Sequence, residues 1–457
     1  MEDDKLSRNL KSRHIQMIAI GGSVGLGLFL YSSKTIHTAG PCVLISYGII
    51  GLLVYVILRS LGEMAVHYPV AGSFSAYATK YLSPCFGYIT GWSYWFLWVF
   101  AVMTEITAIG KYMERWVPSD VVPGWVWALA SLIIITIINL TNVKMFGELE
   151  FWFALVKVVT ILTLIGAGFI LTIIAIFSSD SSISISNLWK FGGLFPKGFW
   201  PFIMVLGPVT VSFIGVESIG LTAGEAKDPE KTMPNAINKV ILRVCIFYIG
   251  SLLVVMVLFP WNSVNPDISP FVMAFDKIGL KSAAGVINFV ILTASVSACN
   301  SGIFSSSRMA LNLQMHGFAP KIIGRLNKKN IPIFSVLFST VFMLFGVILF
   351  KVAPGSAFSI LCHICCMTGI FIWGVILVTQ ISFRKKLNSD EVKSLKYKSV
   401  LFPYANYICL AFLAAIVVIC ALNPDYRVAV LIVPLWILTL AVSYVIQKKL
   451  KAKTSNL

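Results

Sequence analysis

Charged residues are scarce in this chain of 457 residues, where Asp, Glu, Lys and Arg together make up 12%. Soluble domains hold about 25%, and 58% of this chain is hydrophobic. Apolar stretches of about 20 residues, the length that crosses a bilayer as a helix, recur from one end of the sequence to the other. The scarcity of charge therefore excludes a soluble globular protein and indicates an all-α integral membrane protein.

Motifs of several other protein classes are also missing. The sequence contains neither a GxxxxGK[ST] phosphate-binding loop nor an HExxH zinc motif, so we expect neither a nucleotide-binding protein nor an enzyme. Cys362, His363, Cys365 and Cys366 form a dense group of metal-type ligands, but they lie within one apolar span and no second Cys or His pair accompanies them. We expect the cysteines to act as small apolar residues, with no metal and no cofactor.

Acidic residues are few as well, since 19 stand against 36 basic residues and the net charge is +17. The basic residues lie between apolar stretches, so they are expected to mark the cytoplasmic face and not a nucleic-acid site. Hydropathy predicts twelve spans, near 16–34, 42–66, 87–111, 125–141, 150–176, 200–222, 239–259, 284–310, 332–350, 356–380, 403–422 and 428–447.

The distribution of basic residues predicts the orientation of these spans. With the N-terminus in the cytoplasm, the cytoplasmic segments and adjoining helix ends hold 26 Lys and Arg, the opposite side holds 9, and Lys157 lies within a span. Basic residues in short loops concentrate on the cytoplasmic side. We therefore expect a multi-pass protein of the cytoplasmic (inner) membrane with both termini in the cytoplasm.

Glycine-rich interruptions occur at the same relative place in spans 1 and 6, at 21–27 and 213–220. Glycine in membrane helices can simply allow close packing. Two such clusters five helices apart instead predict two inverted five-helix repeats whose first helices are broken. The predicted divisions are a cytoplasmic tail at 1–15, the first repeat at 16–176, an extracytoplasmic loop at 177–199, the second repeat at 200–380, a basic cytoplasmic loop at 381–402, helices 11 and 12 at 403–447, and a cytoplasmic tail at 448–457.

Broken helices expose N–H groups that favour a carboxylate and C=O groups that favour an ammonium, so a zwitterionic amino acid suits a pair of them. Three ionisable residues lie inside spans and are functional candidates, namely Glu105, Lys157 and Glu217. A structural ion pair remains an alternative for Glu105, and Lys157 could either exchange a proton or act as a fixed cation. Three glutamates nearer helix ends are expected to be solvated or to cap helices: Glu63, Glu148 and Glu150.

Several motifs resemble those of the amino acid permeases of the amino acid–polyamine–organocation (APC) superfamily. The resemblance covers essentially the whole chain and is closest to the bacterial proline-specific and threonine/serine permeases. The matching segments are 22–29 (GSVGLGLF), 39–41 (AGP) with 61–64 (LGEM) and Pro69, 148–153 (ELEFWF) before Lys157, and 224–229 (GEAKDP).

The resemblance implies a LeuT-like fold of five plus five inverted helices with two extra C-terminal helices. It also implies alternating access and uptake of a neutral L-amino acid, with the proton as coupling ion. By similarity, Lys157 would tie span 5 to spans 1 and 8. The site residues so implied are Ser23, Gly25, Leu26 and Gly27 for the carboxylate, Phe213, Ile214 and Gly215 for the ammonium, and Lys157, Glu217 and Glu105 for proton coupling or gating. Many relatives have Ser or Thr where Leu26 stands, which leaves the exact substrate open.

Other functions remain as alternatives. The same fold supports amino acid exchange (antiport), and a permease-like amino acid sensor is a further possibility, although the short tails disfavour it. A channel would need a repeated selectivity filter, which the sequence lacks. The expected partners are a small amino acid and the lipid bilayer, with no nucleic acid and no obligatory protein partner.

Overall fold

The computed structural model describes residues 25, 27–70, 72–141, 143–178, 183–222, 228–266, 268–277, 283–327 and 331–455. Within these ranges the regular structure is helical and contains no strand. The α-helices are α1 (Ser32–Ala39), α2 (Val43–His67), α3 (Ser73–Tyr81), α4 (Pro84–Met113), α5 (Gly124–Thr141), α6 (Val143–Ser178), α7 (Phe199–Met204), α8 (Leu206–Val211), α9 (Ile219–Thr222), α10 (Pro229–Asn238), α11 (Val240–Arg243), α12 (Ser251–Leu258), α13 (Pro270–Lys277), α14 (Ala283–Met315), α15 (Ile333–Val352), α16 (Ala357–Lys386), α17 (Ser389–Ser394), α18 (Tyr404–Leu422) and α19 (Arg427–Ser455).

Eleven helical segments in the described ranges are long and apolar enough to cross a membrane. The predicted first span, 16–34, lies mostly outside those ranges, and its described end is a π-helical turn at Gly27–Tyr31 that leads into α1. From α2 onward, helices occupy the stretches where spans were predicted. The protein is therefore a helical membrane protein that crosses the bilayer many times.

Local sequence explains where the long helices begin and end. The hydroxyl of Ser83 accepts the backbone N–H of Phe86, and Pro84 occupies the first position of α4, where its missing N–H costs nothing. At its C-terminal end, α16 carries three basic residues (384–386), which complement the negative end of the helix dipole.

The helices differ in how deeply they are buried. Helices α4 and α16 lie at the centre, where α4 packs against both α14 and α16. In contrast, α6 and α19 lie at the periphery and expose large apolar side chains such as Phe169, Phe177 and Leu431. An apolar exposed surface on peripheral helices is what contact with lipid requires.

Span 6 is interrupted in its middle. Helix α8 ends at Val211, residues 212–215 form turns, and a single 3₁₀ turn at Val216–Ser218 leads into α9. Gly215 adopts a left-handed conformation with φ of +101°, which L-residues with a Cβ rarely adopt. The glycine-rich segment thus breaks the helix where the sequence predicts it.

Glu63 does not have the solvated or capping role that its position near a helix end predicted. Its side chain is 0% exposed and forms a two-pronged ion pair, in which Arg384 Nε and Nη2 donate to its two carboxylate oxygens. The backbone N–H of Ser399 also donates to this carboxylate. The prediction was wrong because hydropathy gives the depth of a residue along a span, and not which neighbouring segments cover it.

Candidate functional site

The interrupted part of span 6 packs directly against the described end of span 1. A Cβ atom built on Gly27 would lie 2.5 Å from Ser212 Cα and 2.9 Å from the Ser212 backbone nitrogen. Ser212 is itself held in place, because the hydroxyl of Tyr248 donates to its carbonyl oxygen at 2.9 Å and the Tyr47 hydroxyl lies 3.2 Å from its Oγ. Only glycine at position 27 allows the two segments to come this close.

A cavity lies where these two segments meet. The volume of the cavity, counted as the space that the centre of a water molecule can occupy, is about 90 Å³. The wall is mostly apolar, with a few polar groups, as in sites for small organic ligands. Its lining residues are Gly25, Gly27, Tyr31, Leu97, Trp98, Ala101, Thr104, Glu105, Val211, Ser212, Ile214, Ala298, Ser301, Phe358, Cys362 and Cys365.

Glu105 brings a carboxylate to the cavity wall. It projects from α4 beside the interruption of span 1, since a Cβ built on Gly25 would lie 3.8 Å from Glu105 Oε1. The cavity therefore combines four of the predicted site residues, Gly25, Gly27, Ile214 and Glu105. A carboxylate beside exposed backbone can attract the cationic group of a ligand.

Lys157 lies fully buried in α6, next to the cavity but not on its lining. Its ammonium donates to Ser297 Oγ in α14 at 3.1 Å, and the Ser297 hydroxyl donates to Glu150 Oε1 at 2.9 Å. This is the contact with span 8 that the resemblance implies. Most of the interrupted part of span 1, with which the other implied contact would be made, lies outside the described residues.

Glu150 was expected to be solvated or to cap a helix, and the structure contradicts this. Its side chain is 1% exposed, whereas Glu148, two residues earlier, is exposed. The expectation failed because α6 extends past the predicted start of the span, and Glu150 faces α14 and not water. Lys157, Ser297 and Glu150 thus form a buried chain of a cation, a hydroxyl and a carboxylate.

Glu217 is buried but is not part of the cavity lining. Its carboxylate accepts the backbone N–H of Gly215 at 3.1 and 3.2 Å, and the indole N–H of Trp373 at 3.1 Å. These bonds satisfy a donor that the helix break leaves without a helical partner. The geometry gives Glu217 a part in holding the break in shape.

The remaining predicted residues are distributed between the break and the undescribed ranges. Phe213 and Gly215 belong to the break without lining the cavity, and the Phe213 ring stacks on Tyr248 with 4.7 Å between ring centroids. Ser23 and Leu26 lie outside the described residues.

Sequence reasoning missed most of the side chains that form the wall. On α4, Trp98, Ala101 and Glu105 are spaced three and four residues apart, so they share one face of the helix. Phe358 and Cys362 are four residues apart on α16, so they also share one face of their helix. Counting back from Glu105 at helical spacing would have found the first group, but nothing in the sequence shows which face of α16 meets the cavity.

Comparison with known proteins identifies the family. The model of the family described as "Amino acid permease" matches residues 14–456. The chain belongs to the amino acid permease family. It is 48% identical over 443 residues to "Uncharacterized amino acid permease YtnA" of Bacillus subtilis, covering 97% of this chain and 95% of the relative.

Two further relatives have names that state a class of solute. "Amino-acid permease AapA" of Bacillus subtilis is 43% identical, with 98% of this chain and 96% of the relative covered. "Aromatic amino acid transport protein AroP" of Escherichia coli O6:H1 is 41% identical, with 98% and 97% covered. Family membership makes this permease a membrane transporter with an amino acid as its small-molecule substrate. The relatives named here are permeases and transport proteins, which are not enzymes.

Proposed function

We propose that this permease imports a neutral L-amino acid across the cytoplasmic membrane by proton symport with alternating access. The proposal includes twelve spans in two inverted five-helix repeats plus two C-terminal helices, with both termini in the cytoplasm. The observation that carries it is the cavity where the interruptions of spans 1 and 6 meet, beside a buried chain of Lys157, Ser297 and Glu150.

The substrate would lie with its charged groups at the two interruptions. Backbone amides around 23–27 would hold the carboxylate, and the carbonyl groups of Phe213, Ile214 and Gly215 would hold the ammonium, with Glu105 as its counter-charge. The rest of the wall is largely apolar, including Trp98 and Phe358, which supports a side chain without charge. The relatives named for aromatic amino acids support the same class of substrate.

Proton coupling would use the buried chain of Lys157, Ser297 and Glu150. The Lys157 ammonium would give a proton to Ser297 Oγ while the Ser297 hydroxyl gives its own proton to Glu150 Oε1. The products are a neutral amine, an unchanged serine and a carboxylic acid, so the net charge of the chain does not change. Both end groups are buried, where a neutral pair avoids the cost of two charges in a medium of low dielectric constant.

Competition in proteoliposomes tests the substrate class. Purified protein is reconstituted, an inward proton gradient is imposed, and uptake of one labelled neutral amino acid is measured against each of the twenty amino acids. We expect the competitors to be neutral amino acids, including aromatic ones, with Lys, Arg, Asp and Glu inactive. Competition mainly by cationic or acidic amino acids would contradict the proposal.

Counterflow separates symport from the exchange alternative. A symporter accumulates labelled substrate in empty vesicles when a proton gradient is present. An obligate exchanger takes up label only when the vesicles are preloaded with unlabelled amino acid, whatever the pH gradient. Accumulation that depends on preloading alone would replace the symport mechanism with exchange.

A further inference from the structure

Tyr31 and His363 form a polar pair at the cavity, outside the residues assigned to the substrate's charged groups. Tyr31 lines the cavity, and its hydroxyl lies 2.8 Å from His363 Nε2. The other ring nitrogen of His363, Nδ1, lies 2.9 Å from the backbone carbonyl oxygen of Asp425. The imidazole stacks on Tyr426 with 3.8 Å between ring centroids.

These partners determine where the protons of the pair lie. A carbonyl oxygen only accepts, so His363 Nδ1 carries a hydrogen and donates it to Asp425. The imidazole is 3% exposed, and neither of its nitrogens contacts a carboxylate among the described residues. A buried imidazolium without a carboxylate partner is costly, so the ring is neutral and Nε2 has no hydrogen. Tyr31 therefore donates its hydroxyl hydrogen to His363 Nε2.

A tyrosine that has given away its only hydrogen can offer just oxygen lone pairs to a ligand. We propose that Tyr31 accepts a hydrogen bond from a donor on the substrate's side chain, and that His363 imposes this polarity. The favoured ligands are neutral amino acids whose side chain carries an O–H or N–H group. Tyr31 acts as a specificity-determining residue, and His363 acts on the ligand only by positioning Tyr31. The proposal rests on the proposed function.

The position of Tyr31 indicates that this donor belongs to the side chain and not to the α-ammonium. Tyr31 follows Gly27 by four residues, and Gly27 marks the contact of the two interruptions. The π-helical turn Gly27–Tyr31 therefore separates Tyr31 from that contact. The Tyr31 ring lies beside Phe358, at 6.2 Å between centroids, which places it on the apolar part of the wall. The ammonium has acceptors at the break and at Glu105, so a donor at Tyr31 comes from elsewhere on the ligand.

Matched amino acid pairs test the role of Tyr31. Inhibition constants are measured for tyrosine against phenylalanine and for threonine against valine, because each pair differs mainly in one hydroxyl. In Tyr31→Phe we expect the hydroxyl-bearing member of at least one pair to lose about three- to tenfold in affinity relative to its partner, as for one lost hydrogen bond. Tyr88→Phe is the control, because Tyr88 bonds Ser443 Oγ at 2.9 Å and does not line the cavity.

Two substitutions at His363 separate the polarity of the pair from mere packing. His363→Phe removes the acceptor, which frees Tyr31 to turn its hydrogen into the cavity. A ligand hydroxyl could then still bond Tyr31 by accepting, whereas the indole N–H of tryptophan can only donate. The affinity for tryptophan relative to phenylalanine should therefore fall in His363→Phe, as it should in Tyr31→Phe. His363→Gln keeps an oxygen for Tyr31 and an N–H for the Asp425 carbonyl, so it should retain a ratio close to wild type.

Each outcome of these measurements supports or overturns the proposal. Equal losses for both members of both pairs, or an unchanged ratio in Tyr31→Phe, would show that Tyr31 does not recognise a side-chain donor. A His363→Gln ratio as altered as that of His363→Phe would show that acceptor polarity is not what His363 supplies. A wild-type protein that takes up no amino acid contradicts the proposed function, which is a different result.

Discussion

Gly27→Ala tests whether the contact between the two interruptions forms the cavity. The added Cβ would lie 2.5 Å from Ser212 Cα, 2.8 Å from Ser212 Oγ and 2.9 Å from the Ser212 nitrogen. Two of these three atoms belong to the backbone, so rotation of a side chain cannot relieve the overlap. Span 1 or the break of span 6 must move instead.

The expected size of the effect follows from the cost of overpacking. One extra methyl group in a closely packed site costs about 1–3 kcal/mol. If that cost is expressed in binding, the affinity for the amino acid falls roughly 5- to 150-fold. If the segments separate without a bound ligand, the same cost is seen as a lower unfolding temperature. Both quantities are therefore measured on detergent-purified protein, by binding of labelled substrate and by thermal unfolding.

Two further variants make the result specific. Gly374→Ala in α16 is the matched control, because a Cβ built there would meet no atom of the described residues within 4 Å and Gly374 does not line the cavity. Gly27→Ala combined with Ser212→Gly removes the serine side chain but leaves its Cα and nitrogen in place, so it should not restore binding. If Gly27→Ala binds and unfolds like wild type, the two segments do not meet as described, and the reasoning about the cavity is refuted.

Two other substitutions test Glu150 and Glu63, whose burial the sequence analysis did not predict. Glu150→Gln should abolish accumulation driven by a proton gradient while counterflow persists, because the proton acceptor is lost and the cavity is not. Glu148→Gln, at an exposed position, serves as control. Equal effects of Glu150→Gln on both assays would contradict proton transfer along the chain of Lys157, Ser297 and Glu150. Glu63→Ala should destabilise the protein by about 3–5 kcal/mol, because Arg384 is left as a buried charge without its partner. Thermal unfolding measures this against Asp390→Asn, which removes an exposed ion pair and should leave the unfolding temperature unchanged; equal shifts would show that the Glu63 pair is not buried in the folded protein.

Much of the helical organisation could be predicted because lipid imposes simple rules on sequence. Apolar length predicts a span, and glycines within a span predict a break, as observed at 212–215 and at Gly215 in particular. Both signals are local, so a single sequence carries them. The family resemblance assigned Gly25, Gly27 and Ile214 to a substrate site, and Glu105 stood out as a charge within a span. The structure brings all four to one cavity.

The parts of the site that could not be predicted from the sequence depend on contacts between distant segments. Tyr31 and His363 are 332 residues apart. Tyr31 looks like an ordinary span residue, and His363 stood out only beside its neighbouring cysteines, until the turn at Gly27–Tyr31 and α16 are seen together. Ser297 is one of many small polar residues in α14, and only the fold places it between Lys157 and Glu150. Residues of this kind are chosen by tertiary packing, which hydropathy and spacing do not encode.

The movement of protons with the amino acid tests the central claim most directly. Proteoliposomes are loaded with a pH-sensitive dye, a neutral amino acid that competes in the uptake assay is added outside, and the internal pH is followed for wild type and Lys157→Ala. The account predicts that the amino acid acidifies the interior of wild-type vesicles, and that Lys157→Ala vesicles show no acidification and no concentrative uptake. Concentrative uptake without a change of internal pH, or full acidification by Lys157→Ala, would contradict it.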